Sequence, residues 1–165
     1  MSKYSVSLEK VINDLSFQVV YTPQNPADIY ITSQDVNRPG LILTGFEDYF
    51  DPARIQFIGL TELEYFKSLT KEGFLECLER FFSKRPAAIV VTRGLQCGNR
   101  FLSFAEKYEV PVLATNGSTS GCMSATISYL GVELAQRITR HGVLVEVYGE
   151  GVLILGDSGV GKSET

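Results

Sequence analysis

The sequence predicts an α/β fold whose N-terminal domain holds a largely parallel sheet flanked by helices. Short apolar runs rich in β-branched residues alternate with helical stretches, the rhythm of strand–helix–strand units. The runs at residues 87–91 and 110–114 are unbroken, as in strands covered on both faces. Hydrophobic residues make up 44% of the 165 positions and charged residues 21%, which is enough apolar material for a real core.

Each element follows from local pattern. Leu8, Val11, Ile12 and Leu15 fall at helical spacing behind Ser7, a suitable N-cap. Residues 17–21 and 29–32 read as short strands separated by a turn on Pro23, Asn25 and Pro26. Asn37-Arg38-Pro39-Gly40 is a second turn, and the apolar residues 41–43 read as a buried strand. Residues 55–60 suit the next strand. Thr61 and Glu64 form a capping box opening a helix through Phe66 and Leu69. A further helical pattern runs through Phe74, Leu75, Leu78, Phe81 and Phe82, and another through Phe101, Leu102 and Ala105. Met123, Ile127, Leu130, Leu134 and Ile138 make a long stripe at helical spacing, with Gly131 a weak point inside it. Core packing is the ordinary use of such a stripe, so a helix linking two domains is expected here. Residues 142–148 and 152–155 then read as strands around a Gly149-Glu150-Gly151 hairpin. The resulting organisation is an N-terminal α/β domain at 1–130, a helical linker at 131–140 and the start of a second domain at 141–165.

Composition removes several functions. A formal charge of −4 does not suit a general nucleic-acid binder, which must neutralise rows of phosphates. There is no apolar run of 18 residues and no basic start followed by an apolar stretch, so neither a membrane span nor a signal peptide is expected. Cys77, Cys97 and Cys122 are far apart and lack nearby histidines; they read as core or half-buried thiols in a reducing cytosol. Thr92-Arg93-Gly94 and Thr115-Asn116-Gly117 follow strand ends, where ligands bind in open α/β sheets, although plain turn chemistry is the more ordinary account of them.

One segment carries chemistry outright. Gly156-Asp157-Ser158-Gly159-Val160-Gly161-Lys162-Ser163 fits G-x-x-x-x-G-K-[ST] at every position, directly after a strong strand pattern. The glycines let successive N–H groups converge on phosphate oxygens. Lys162 supplies positive charge at the terminal phosphates, and the Ser163 hydroxyl can ligate Mg²⁺. A chance match in this length is on the order of one in a hundred at average composition, so a ligand-free glycine turn is the weaker reading. The segment also starts like the nucleophile region of trypsin-like proteases, but Val160 stands where those need glycine. His141, alone, reads more readily as a turn residue than as a catalytic one.

In combination these residues resemble a known family. The stretch from His141 to Gly149 running into Gly156–Glu164, with Asp35-Val36-Asn37-Arg38-Pro39-Gly40, Arg54-Ile55-Gln56 and Val90-Val91-Thr92-Arg93-Gly94, is similar to HPr kinase/phosphorylase. The resemblance spans nearly the whole chain and weakens at residues 96–99 and 117–123. It implies a bacterial cytosolic enzyme that phosphorylates a serine of the phosphocarrier HPr, using ATP or pyrophosphate, and thereby regulates carbon catabolite repression. It also implies removal of that phosphate by inorganic phosphate at the same site, releasing pyrophosphate. By position, Gly156, Asp157, Ser158, Gly159, Val160, Gly161, Lys162 and Ser163 would bind the nucleotide, Ser163 would hold Mg²⁺, and His141 and Lys162 would be active-site residues. The family's N-terminal domain resembles the first domain of Mur ligases, and its members assemble as hexamers. Because the chain stops at Thr165, before the family's catalytic aspartate, it is expected to be inactive alone. The alternative is a regulatory, assembly or metabolite-sensing α/β domain attached to another P-loop kinase.

Overall fold

The computed structural model describes residues 4–135, which belong to one compact unit. The residues from Gln136 on, including Ile138, His141 and the whole glycine loop, lie outside the described residues. No helix among the described residues is long and apolar enough to cross a membrane.

A two-residue strand β1 (Val6–Ser7) leads into helix α1 (Leu8–Leu15). Ser7 caps α1 as expected, its hydroxyl accepting from the Lys10 N–H at 3.2 Å, and Leu8, Val11 and Ile12 are buried. Strand β2 (Gln18–Tyr21) follows, then β3 (Tyr30–Ile31), which pairs antiparallel with β1. After β4 (Val36–Asn37) comes the first correction. Residues 41–43 do not form a strand: α2 (Gly40–Leu43) is a single helical turn. Ile42 and Leu43 are both buried while Leu41 is 67% exposed, a pattern that strand alternation cannot produce.

The rest of the unit alternates. Strand β5 (Ile55–Ile58) is followed by helices α3 (Leu60–Ser68) and α4 (Lys71–Phe82). Next come β6 (Ala88–Val91), α5 (Gly98–Tyr108), β7 (Val112–Ala114) and α6 (Thr119–Glu133). The main sheet has the order β2-β7-β6-β5-β4, parallel from β7 to β4, with β2 antiparallel at one edge. This is the mostly parallel sheet the sequence predicts.

Alternate residues of the central strands face opposite layers, because side chains in a strand repeat every second position. Ile58, Ile89, Val91 and Val112 join α2, α3, α4 and α5 in one core cluster. Ile55, Phe57, Ala88, Val90 and Leu113 join α1 and Leu130 of α6 in the other. Aromatic rings dominate the first cluster. Phe82 lies edge-on to Phe101 at 5.0 Å and to Phe81 at 5.3 Å.

The stripe on α6 packs inward as expected at Met123, Leu130 and Leu134, but not at Ile127. Thr119, Thr126 and Leu130 are buried, whereas Ile127 is 39% exposed. Threonines can occupy the buried face because their hydroxyls are satisfied: that of Thr126 donates to the Cys122 carbonyl at 2.7 Å. Beside Gly131, a weak point by helix propensity, the end of the exposed Gln34 side chain lies 2.7 Å from where a Cβ would stand.

Candidate functional site

The carboxyl ends of β5, β6 and β7 lie side by side, and the chain leaving them carries three of the buried polar residues, Glu62, Thr92 and Thr119. The first, Glu62, follows Gly59 after β5. Helix α3 starts two residues earlier than the Thr61–Glu64 reading implied, with Gly59 as its N-cap, so Glu62, not Glu64, occupies its third position. The Glu62 carboxylate accepts the Gly59 N–H at 2.8 Å, completing the carboxylate half of a capping box. It also takes a two-point bond from the Arg38 guanidinium, Nε at 3.0 Å and Nη2 at 2.7 Å. Arg38 comes from the turn after β4, so this ion pair ties that turn to the start of α3. Glu62 is buried and Arg38 partly exposed.

Thr92, after β6, is the second. Its hydroxyl lies 3.2 Å from the Ile58 carbonyl oxygen and 2.5 Å from the hydroxyl of Thr119, both threonines being buried. The two loops that follow strand ends are stitched together. Arg93 N–H donates to the Gly117 carbonyl at 2.9 Å, and Gly94 N–H donates to the Thr115 carbonyl at 3.0 Å. Arg93 and Gly94 both have positive φ, and Leu95 N–H closes on the Thr92 carbonyl at 3.1 Å, the pattern of a type I′ turn. Thr92-Arg93-Gly94 and Thr115-Asn116-Gly117 are therefore neighbours as well as turns. Ser118 caps α6 by accepting the Gly121 N–H at 3.2 Å.

Gly59 sits where these groups crowd together. A Cβ there would overlap the Thr119 hydroxyl and stand 2.9 Å from Arg38 Nη2. Its φ of −118° is open to any residue, so the requirement is space alone. Gly59→Ala should cost about 2–3 kcal/mol through overpacking. Gly40→Ala, with nothing within 4 Å of the added atom, should stay within about 0.5 kcal/mol. Urea denaturation of the two variants side by side checks this.

Of the three cysteines Cys77 is buried, while Cys97 and Cys122 are half-buried. Burial pushes the Cys97 thiol up to about 12 and the Cys77 thiol up to about 11, and it raises Cys122 as well. A raised thiol pKa leaves little thiolate at neutral pH, and thiolate is the nucleophile. Alkylation of Cys97 in the folded protein at pH 8 should run at least roughly a hundredfold slower than for a free cysteine, and the rate should recover in denaturant. Fast labelling of the native protein would contradict this burial.

Among the described residues no group of three His, Cys, Asp or Glu side chains could hold a metal ion. The sequence-predicted nucleotide and catalytic residues, His141, Gly156–Gly161, Lys162 and Ser163, lie outside the described residues. Sequence reading missed Glu62 and Thr119. The available signal for Glu62 was an acidic residue three positions after a strand-ending glycine; none pointed to Thr119.

Comparison with known proteins agrees over both parts of the chain. The family model described as HPr Serine kinase N terminus matches residues 6–130, and HPr Serine kinase C-terminal domain matches residues 132–165. An HPr kinase/phosphorylase of Caldicellulosiruptor bescii is 41% identical over 162 residues, covering 98% of this chain and 52% of the relative. One from Lachnoclostridium phytofermentans is 43% identical over 161 residues, with the same 98% and 52% coverage. The chain thus spans about half the length of these curated relatives. A solved structure of the CBS and DRTGG domains of the regulatory region of a Clostridium perfringens pyrophosphatase, complexed with the activator diadenosine tetraphosphate, gives a TM-score of 0.56 at 12% identity. It covers 88% of this chain and 55% of that one, a likeness of fold. With one family model covering most of the chain and its companion the remainder up to Thr165, the chain belongs to the HPr serine kinase family.

Proposed function

We propose that this protein, in its complete form, is a bifunctional HPr serine kinase/phosphorylase that regulates carbon catabolite repression in the bacterial cytosol. The observation that carries the reading is the complete glycine loop, Gly156–Ser163, placed inside the stretch that matches the HPr serine kinase C-terminal domain. In the kinase direction the serine hydroxyl oxygen of HPr attacks the terminal phosphorus of ATP or pyrophosphate, and ADP or phosphate leaves. In the reverse direction inorganic phosphate attacks phosphoserine, freeing the serine and forming pyrophosphate.

The residues of this chain would divide the work. Backbone N–H groups from Gly156 to Gly161, through Asp157, Ser158, Gly159 and Val160, would hold phosphate oxygens. The Lys162 ammonium would stabilise charge on the transferring group, and His141 would sit at the active site. A Lys next to a hydroxyl is a donor set suited to Mg-nucleotide, so Ser163 would ligate Mg²⁺, which neutralises phosphate charge when bound. Residues 1–130 would form the N-terminal domain, 131–140 a linker and 141–165 the beginning of the kinase domain, with hexameric assembly of the complete protein.

Incubating the complete protein with HPr, Mg²⁺ and ATP should yield phosphoserine HPr. Excess inorganic phosphate should then reverse the modification and release pyrophosphate. ATP hydrolysis with HPr left unmodified would overturn the reading. A second reading, a metabolite-sensing domain on another P-loop kinase, draws on the fold likeness to a regulatory region. It would require transfer to an acceptor other than HPr.

A further inference from the structure

A cavity of about 450 Å³ opens at the carboxyl ends of β6 and β7, beside the exposed edge strand β2. Its floor is apolar, built from Val91, Phe101 and Val112, all buried in the core cluster. Four carboxamides, Gln18, Gln96, Asn99 and Asn116, lie around that floor, and no lining residue is charged. The topology accounts for the grouping. Because β2 runs antiparallel to β7, Gln18 pairs with Ala114 and arrives at the end of the sheet where the β6 and β7 loops leave. The 3.0 Å approach of the Asn116 side-chain oxygen to the position of a Cβ on Gly94 brings the opposite loop in.

This chemistry selects a ligand. A phosphate or carboxylate entering here would lose its hydration with no counter-charge to replace it. An apolar floor with carboxamides, each able both to donate and to accept, suits a flat uncharged ring bearing amide-like edges. We propose that this cavity binds an uncharged nitrogen heterocycle of the nucleobase or nucleoside class. The cavity is lined by residues between Gln18 and Asn116, and the proposal does not depend on the kinase reading.

The test uses the 165-residue chain labelled with ¹⁵N. Adenosine, guanosine and cytidine are titrated to millimolar concentration, with glucose and inorganic phosphate in parallel. At least one nucleoside should shift the amides of Gly94, Gly98 and Ala114 saturably, while phosphate and glucose should not. Gln18→Leu, at an exposed strand position, should raise the dissociation constant at least tenfold. Ala114→Phe should abolish the shifts, provided its amide spectrum remains that of a folded protein. Lys162→Ala should leave them unchanged. If no nucleoside shifts these amides, or if only glucose or phosphate does, the proposal is overturned. Shifts that persist unweakened in Gln18→Leu would place the ligand elsewhere and overturn it equally.

Discussion

Lys162→Ala in the complete protein should lower HPr phosphorylation and its phosphorolysis together, each by at least roughly a hundredfold. Both directions pass through the same transferring phosphoryl group, whose charge the ammonium stabilises on the proposed reading. Preorganised charge in a water-poor site contributes a few kcal/mol to the transition state, and each 1.4 kcal/mol or so is a factor of ten in rate. Lys162→Arg keeps the charge but spreads it over a larger planar group, so partial loss is expected there. Steady-state rates in each direction, at saturating HPr or phospho-HPr, make the comparison. A variant that loses kinase activity but phosphorolyses normally would mean two sites rather than one.

Phe82→Ala should destabilise the N-terminal unit by about 3–5 kcal/mol, a large share of the total stability of a domain this size. Phe82 is fully buried at the end of α4 and touches three other rings, Phe81, Phe101 and Phe104. Removing it takes away the transfer energy of the ring and leaves a void between α4 and α5, which the surrounding rings cannot fill without leaving their rotamers. Phe104→Ala, at a half-buried position on the same cluster, should cost clearly less. Chemical denaturation followed by circular dichroism measures both. Equal costs would mean that the α4–α5 contact is not the centre of this core.

Most of the architecture was legible because it rests on local physics. The Ser7 cap and the Leu8–Val11–Ile12 face of α1 involve residues within a turn or two of each other. The unbroken runs ending at Val91 and Ala114 showed burial on both faces, and both strands lie inside the sheet. Two of the failures of detail have clear physical causes. A three-residue apolar run carries no period, so Leu41 to Leu43 could not be told from a strand until their exposure was known. On α6 the apolar stripe found Met123, Leu130 and Leu134 but not the buried Thr119 and Thr126, whose hydroxyls find partners and so cost little.

Contiguous motifs in the sequence pointed to the family, and periodicity and caps gave most of the order of helices and strands, residues 41–43 excepted. Only the tertiary structure decided which residues meet. The Arg38–Glu62 ion pair joins positions 24 apart, and the Thr92–Thr119 contact joins positions 27 apart. The carboxamides at the cavity come from three separate segments of the chain: Gln18, Gln96 with Asn99, and Asn116. Contacts of that kind depend on strand order and register, which are set by how whole faces pack and not by neighbours along the chain.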